Sequence, residues 1–208
     1  MSRIDEYTAS FIQPPHAVLR AILVEEERRN DVQPSVGAQV GRVLALLVQA
    51  TRAQRVLELG TSLGYSTLQL ALALRETGGR LTSVEIRPDL AAATRANLEA
   101  AGVADRVDLI VGDAREALAA AEGPFDLILQ DSDKSLYPEL LELCVQKTRL
   151  HGIIAADDTL FPVLEGIPER MVRPIEAYNQ LVFADPRLLS TLLPIGDGLM
   201  LSLKVASD

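Results

Sequence analysis

The sequence predicts an α/β fold: a mostly parallel sheet of seven strands with helices on both faces, N-terminal helices and a C-terminal antiparallel hairpin. Short apolar runs alternate with helix-like stretches after residue 50. The last two apolar runs are joined through Gly196-Asp197-Gly198, which favours a β-hairpin. We therefore expect a single domain over residues 1–208, with a helical segment at 1–50 and the core at 51–208.

Each element follows from its own pattern. Five apolar runs have strand length and lead into polar or acidic residues: RVLEL, LTSVEI, RVDLIV, FDLILQ and GIIAAD. Four intervening stretches carry apolar residues at helical spacing: YSTLQLALALRET, PDLAAATRANLEAAG, AREALAAAE and LYPELLELCVQKT. Pro88 suits the first helical position and Gly102 the position just past a helix end. MVRPIEAYNQLVFAD predicts a further helix, and residues 14–29 and 37–50 predict two more before the sheet.

The composition of the chain argues against nucleic-acid and membrane partners. The chain is 48% hydrophobic and 24% charged, which is typical of a soluble globular protein. Its formal net charge of −9 repels phosphate backbones, so we expect no nucleic-acid partner. No stretch reaches the roughly 18 to 20 apolar residues of a membrane span, and the N-terminus has no signal-peptide pattern. With Cys144 as the single cysteine, these features predict a cytoplasmic protein with an inert, packed thiol and no membrane partner.

Ligands of open α/β sheets bind at the carboxyl ends of the strands, and two such ends stand out. After the first strand, Gly60 and Gly64 are four residues apart with Ser62 between them, which differs from the G-x-G-x-x-G spacing. This turn alone is weak evidence for a ligand, because a tight strand-to-helix turn without one is an alternative. Glu85 ends the second strand, where an acid accepts hydrogen bonds from ribose hydroxyls. Enzymes that use NAD and enzymes that use S-adenosylmethionine both have such an acid.

Two further acids favour the second cofactor. Glu58 lies beside the glycine turn, where a carboxylate would crowd a pyrophosphate but suits a cationic ligand such as the sulfonium and amino group of S-adenosylmethionine. Asp113 follows the third strand and suits the adenine amino group.

Three aspartates follow the fourth and fifth strands. Asp131, Asp157 and Asp158 would repel one another in a shared cleft, and a divalent cation resolves that repulsion. Oxygen-only ligands favour Mg²⁺, Mn²⁺ or Ca²⁺ over zinc. Each aspartate alone could simply cap a following helix. Together, and with Lys134 three residues after Asp131, they predict a metal site.

Five motifs resemble the cation-dependent small-molecule O-methyltransferases, a family that includes catechol and caffeoyl-CoA O-methyltransferases and bacterial relatives. The motifs are VLELGTSLGYSTLQLALAL, TSVEI, AGVADRVDLIVGDA, PFDLILQDSDKSLYPE and GIIAADDTLFP, and the resemblance covers about residues 35–204. It implies a Rossmann-like class I methyltransferase fold, a homodimer, S-adenosylmethionine as cofactor and a small phenolic substrate.

The resemblance also implies roles for individual residues. The methionine part of the cofactor would be lined by Glu58, Gly60, Ser62 and Ser66. Glu85 would hold the ribose, Asp113 and Ala114 the adenine edge, and Asp131 would also contact the cofactor. Asp131, Asp157 and Asp158 would bind the cation, with Lys134 as general base. Asp158 departs from the family, which often has Asn there, and without any Trp the pocket walls would come from Tyr65, Leu160, Phe161 or Phe11.

The predicted function is cation-dependent O-methylation of one hydroxyl of a vicinal dihydroxy aromatic. Two alternatives stay open on the residues alone. An NAD-dependent oxidoreductase accounts for Glu85 but not for Glu58 or the three aspartates. A non-catalytic nucleotide-binding protein accounts for the turn but gives no reason for Lys134 beside the aspartates.

Overall fold

The computed structural model describes residues 7–207 and contains one continuous seven-stranded sheet in the order β3-β2-β1-β4-β5-β7-β6. The strands are β1 Arg55–Leu59, β2 Arg80–Glu85, β3 Val107–Val111, β4 Phe125–Gln130, β5 Thr148–Ala156, β6 Leu188–Leu193 and β7 Leu199–Lys204. β1 to β5 pair in parallel, and β7 lies antiparallel between β5 and β6. The predicted parallel sheet and antiparallel C-terminal pair are confirmed.

Between residues 17 and 184, seven helices surround the sheet: α1 Ala17–Arg28, α2 Gly37–Thr51, α3 Tyr65–Thr77, α4 Pro88–Ala100, α5 Ala114–Ala120, α6 Leu136–Lys147 and α7 Glu169–Ala184. Short 3₁₀ turns span Ala104–Arg106 and Phe161–Val163. Pro88 begins α4 and Gly102 adopts φ +68 just past its end, as predicted. From residue 7 to residue 207, every helix is too short or too polar to span a membrane.

β5 begins at Thr148, earlier than the GIIAAD pattern predicts. The additional residues belong to the strand because β5 continues through an irregularity in its pairing with β4. The register with β4 shifts between Phe125 and Leu127, and His151 adopts φ +61. A Cβ on Gly152 would lie 2.7 Å from the Thr148 side chain and 3.0 Å from the Phe125 carbonyl. Because this interruption is polar and has a positive φ, the hydrophobic pattern of the sequence does not show that the strand continues through it.

The two faces of the sheet carry separate cores. One core contains residues of α1 to α4 with Val56 of β1, and the other contains residues of α5 to α7 with Leu57 and Leu59. Because successive side chains of a strand point to opposite faces, Glu58 points with Val56 towards the α3 side. Cys144 is fully buried in the second core, so the prediction of a packed thiol is confirmed, and burial raises the pKa of the thiol.

Candidate active site

The turn between β1 and α3 needs its glycines. Gly60 adopts φ +98 and Gly64 φ +86, conformations that L side chains rarely adopt. A Cβ on Gly60 would lie 2.1 Å from the carbonyl oxygen of Asp131, so the turn and the end of β4 are in direct contact. Ser62, between the glycines, has φ +51. A non-glycine residue in this region is uncommon and is often found at functional sites.

Glu85 holds the turn in place from the end of β2. Its Oε2 accepts hydrogen bonds from the backbone N–H groups of Thr61 at 3.2 Å and Ser62 at 2.8 Å. Its Oε1 accepts from the Arg87 N–H at 2.9 Å. An ionised carboxylate has about four acceptor positions, so these three bonds leave room for one ligand hydroxyl.

Glu58 lies behind the turn and is not part of the wall of the cavity described below. It is fully buried, and its carboxylate accepts hydrogen bonds of 2.6 Å from the hydroxyls of Ser66, Thr67 and Ser83. Ser83 also contacts the Thr61 hydroxyl at 2.6 Å. Burial raises the pKa of Glu58 to about 7, although the hydroxyl donors oppose the shift. The geometry therefore gives Glu58 a supporting position beneath the turn.

A cavity of about 420 Å³ runs along the carboxyl ends of the central strands. Most of the residues predicted for the site line it: Gly60, Ser62, Ser66, Glu85, Asp113, Ala114, Asp131, Lys134 and Asp158. Glu58 and Asp157 lie behind this wall. The sheet thus brings together residues from five strand ends in one cavity, as expected for an open α/β sheet.

Asp113 occupies the N-cap position of α5. Its Oδ1 accepts a hydrogen bond from the Arg115 N–H at 2.7 Å, and its Oδ2 lies 3.4 Å from the Arg115 guanidinium. This is the helix-capping role that a lone aspartate after a strand predicts. Because Asp113 also lines the cavity, the cap and a ligand contact are compatible.

The three aspartates form an acid triad. Asp131, Asp157 and Asp158 each offer a carboxylate oxygen within 4.8 Å of the other two. Burial is the main reason that the pKa of Asp131 is raised to about 6 and that the pKa of Asp157 is raised well above its usual value. The Oδ1 atom of Asp157 is buried without a hydrogen-bond partner. Asp158 adopts φ +63, a conformation that aspartate tolerates better than most residues.

Lys134 is buried against the acid triad. Its Nζ lies 2.7 Å from Asp158 Oδ2 and 3.2 Å from Asp131 Oδ1, and it donates to the Tyr137 hydroxyl at 2.9 Å. Burial alone would lower the pKa of Lys134, but its contact with the Tyr137 hydroxyl and the charges of Asp131 and Asp158 outweigh burial and raise the pKa well above its usual value. Without a bound cation, Lys134 is therefore a charged ammonium.

Part of the cavity wall comes from residues that sequence analysis missed. The segment between α1 and α2, residues 31–36, lines the cavity, as do Arg87, Arg170 and Met171. Arg87 anchors the segment, because its guanidinium donates to the Asp31 carbonyl at 2.6 Å and to the Asp31 carboxylate at 2.7 Å. The sequence gives little signal for this contact, since the two residues are 56 positions apart.

The aromatic and apolar wall differs from the prediction. Of the four candidates, Tyr65 lines the cavity, whereas Leu160, Phe161 and Phe11 do not. Phe161 is buried in the core, with its ring centroid 6.0 Å from Lys134 Nζ. Phe11 is 70% exposed and packs edge-on against Tyr7.

Comparison with known proteins identifies the family. The family model described as O-methyltransferase matches residues 11–205. The chain belongs to this O-methyltransferase family. The chain is 36% identical over 160 residues to a catechol O-methyltransferase of Mycobacterium tuberculosis, covering 76% of this chain and 71% of the relative. It is 35% identical over 181 residues to a caffeoyl-CoA O-methyltransferase of Populus kitakamiensis, covering 80% of this chain and 77% of the relative.

A solved structure agrees with this assignment. The O-methyltransferase of Bacillus cereus in complex with SAH superposes with a TM-score of 0.85 at 29% identity, covering 98% of this chain and 97% of the other. The predictions of a Rossmann-like class I methyltransferase fold and of an O-methyltransferase enzyme are confirmed. Membership of this family argues against the NAD-dependent oxidoreductase.

Proposed function

We propose that this O-methyltransferase transfers the methyl group of S-adenosylmethionine to one hydroxyl of a vicinal dihydroxy aromatic, with a divalent cation held by the acid triad. The observation that carries the proposal is the position of the triad. Asp131, Asp158 and Lys134 line the cavity whose other walls are the glycine turn and Glu85, and Asp157 completes the triad from behind. A methyl donor and a chelated acceptor could therefore share one cavity.

The residues present fit a divalent cation. Three carboxylates and the Lys134 ammonium carry a formal net charge of −2, which one divalent ion would neutralise. The unpartnered Oδ1 of Asp157 is a buried acceptor that lacks a donor, and such atoms are expected to have a partner. All the ligand atoms are oxygens, which suits Mg²⁺, Mn²⁺ or Ca²⁺.

The same cavity fits S-adenosylmethionine. The turn residues Gly60 to Leu63 line the cavity, and Glu85 keeps an acceptor position for a ribose hydroxyl. Asp113 and Ala114, at the start of α5, would meet the adenine edge. The Bacillus cereus relative was solved with SAH, the demethylated form of this cofactor, which supports the same assignment here.

Lys134 would act as the general base. A cation at the triad would supply Lewis-acid chemistry, lowering the pKa of a coordinated phenol from its ordinary value of about 10. Once Asp131 and Asp158 ligate a cation, their negative charges would no longer stabilise the Lys134 ammonium. The pKa of Lys134 would then fall, which would let its amine act as a base. Its Nζ would then take the hydroxyl proton. Holding the acceptor against the methyl donor contributes further, since such positioning can be worth roughly 7 to 11 kcal/mol.

The test is a turnover assay with labelled S-adenosylmethionine. Catechol is compared with resorcinol and hydroquinone, its isomers whose hydroxyls are not adjacent. We expect methylation of catechol alone, its loss in EDTA and its recovery with Mg²⁺. Full activity after exhaustive chelation would refute the cation, and equal turnover of the three isomers would refute the vicinal diol.

The homodimer and the cytoplasmic location remain predictions. Sedimentation of the purified chain would test the first, and localisation in the source cell would test the second.

A further inference from the structure

Three cationic side chains line the cavity, and two of them are already paired. Arg87 lies 2.7 Å from the Asp31 carboxylate, and Lys134 lies 2.7 Å from Asp158. Arg170, in the first turn of α7, is exposed and forms no hydrogen bond or ion pair with any residue between 7 and 207. Arg170 is thus the cation of the wall that is free to meet a ligand.

Arg170 lies on the acid-triad side of the cavity. It interacts electrostatically with Asp133, another wall residue, which directly precedes Lys134 in the chain. The Oδ1 atom of Asp133 accepts from the Ser135 N–H at 2.9 Å and from the Ser135 hydroxyl at 2.6 Å, so this oxygen is engaged within its own loop. The charge of Arg170 is therefore close to the place where an acceptor would bind, and no carboxylate between residues 7 and 207 forms an ion pair with it.

The rest of the wall is strongly acidic. Seven carboxylates line the cavity: Glu26, Asp31, Glu85, Asp113, Asp131, Asp133 and Asp158. An acceptor with an acidic group would be repelled by this wall unless a cation met that group. A guanidinium suits this role, because its planar N–H groups can bind a carboxylate or a phosphate-type oxyanion in a bidentate manner.

We propose that Arg170 selects an acceptor that carries an acidic substituent on the ring, on the side away from the two hydroxyls. This inference rests on the proposed function, since the hydroxyls are taken to bind at the acid triad. Met171 and Leu136, which also line the cavity, are the apolar side chains available to pack against the ring. Arg170 would act in specificity and not in the methyl transfer itself.

The experiment compares matched acceptors and matched variants. The acceptors are 3,4-dihydroxybenzoate, its uncharged methyl ester and 3,4-dihydroxyphenylphosphonate, which separates a carboxylate from a phosphate-type group. The variants are Arg170→Gln, Arg170→Lys and Arg173→Gln. Arg173 is the control, because it belongs to the same helix, pairs with Glu169 at 2.6 Å and is not part of the cavity wall.

We expect Arg170→Gln to lower kcat/KM for the benzoate about 10- to 100-fold, the range for losing a hydrogen bond to a charged group, and to leave the ester unchanged. Arg170→Lys should have a kcat/KM for the benzoate between those of the wild type and Arg170→Gln, and Arg173→Gln should have the kcat/KM of the wild type. An equal loss for acid and ester, or no loss for either acid, would overturn the inference while leaving the proposed function standing. A wild type that methylates catechol but none of these three acceptors would overturn the inference alone, and a wild type that methylates neither catechol nor any of them would refute both.

Discussion

Asp158→Asn is the sharpest test of the acid triad, because it removes one charge and keeps the shape of the side chain. Asp158 adopts φ +63, and asparagine accepts this left-handed conformation about as well as aspartate does. Alanine does not, so Asp158→Ala would add backbone strain of about 1 to 2 kcal/mol and also remove an oxygen ligand. The asparagine variant therefore isolates the charge.

The magnitude follows from the distances. One unit charge about 4 Å from another contributes about 1 kcal/mol in water and about 4 kcal/mol at an effective dielectric constant of 20. The Asp158 side chain is 20% exposed, so we expect a value between these limits. Two effects reduce the contribution of the Asp158 charge to cation affinity. Asp158 must give up its ion pair with Lys134, which is 2.7 Å away, and its charge adds to the repulsion within the cation-free triad. Cation affinity should therefore fall about 10- to 100-fold.

Isothermal titration of the cation-free protein with Mg²⁺ or Mn²⁺ measures this change directly. Asp133→Asn is the control, since it removes a neighbouring wall charge that is outside the acid triad. Asp158→Asn should keep substantial kcat at saturating Mg²⁺, because its amide oxygen still ligates the ion and the pKa of Lys134 falls with the lost charge. Equal affinity in the wild type and Asp158→Asn, or an equal loss in Asp133→Asn, would refute the reasoning.

Three further substitutions test other parts of the site. Lys134→Met should lower kcat about 10²- to 10⁴-fold, the usual contribution of a general base, and leave S-adenosylhomocysteine binding unchanged by calorimetry; unaltered kcat would exclude a role in proton transfer. Glu85→Ala should weaken S-adenosylhomocysteine binding by about 1.5 to 3 kcal/mol, and calorimetry that shows wild-type affinity would contradict the ribose assignment. Glu58 has its pKa raised by burial from 4.5 to about 7, so its contribution to stability is complete below pH 4.5 and is lost as the pH rises through 7. As the pH rises from 4.5 to 8, the free energy of unfolding of Glu58→Gln should therefore increase by about 3 kcal/mol relative to that of the wild type, measured by denaturant unfolding. A constant difference in unfolding free energy between the two proteins across that range would contradict the buried-acid account.

The fold could be predicted because its signals are local. Strand β1 and helix α3 have the predicted bounds, since an apolar run, a glycine turn and a helical pattern follow one another without interruption. β5 shows the limit of this approach. Its first residues include a polar, positive-φ position at His151, and the pairing that extends the strand to Thr148 comes from β4 and not from the local sequence.

The site was predictable where topology alone brings residues together. The ends of β4 and β5 are neighbours in the sheet, so Asp131, Asp157 and Asp158 had to lie near one another. Glu58 was harder, because the sequence locates it beside the turn without showing which face of β1 it occupies relative to the cavity. The direction of its side chain, towards Ser66 and Ser83, decides that it supports the turn from behind.

The two halves of the cavity differ in how they are built, and this explains which functional features the sequence reveals. The proposed cofactor half is formed by backbone conformation: glycines with positive φ, and a carboxylate at Glu85 that holds backbone N–H groups. Such a structure requires particular residue types at fixed spacing, so it leaves a motif. Beyond the acid triad, the proposed acceptor half would depend on single exposed side chains such as Arg170, which no backbone geometry requires. A substitution there can change the acceptor without disturbing the fold or the cofactor turn, and for this reason the chemistry can be inferred from sequence pattern more readily than the substrate.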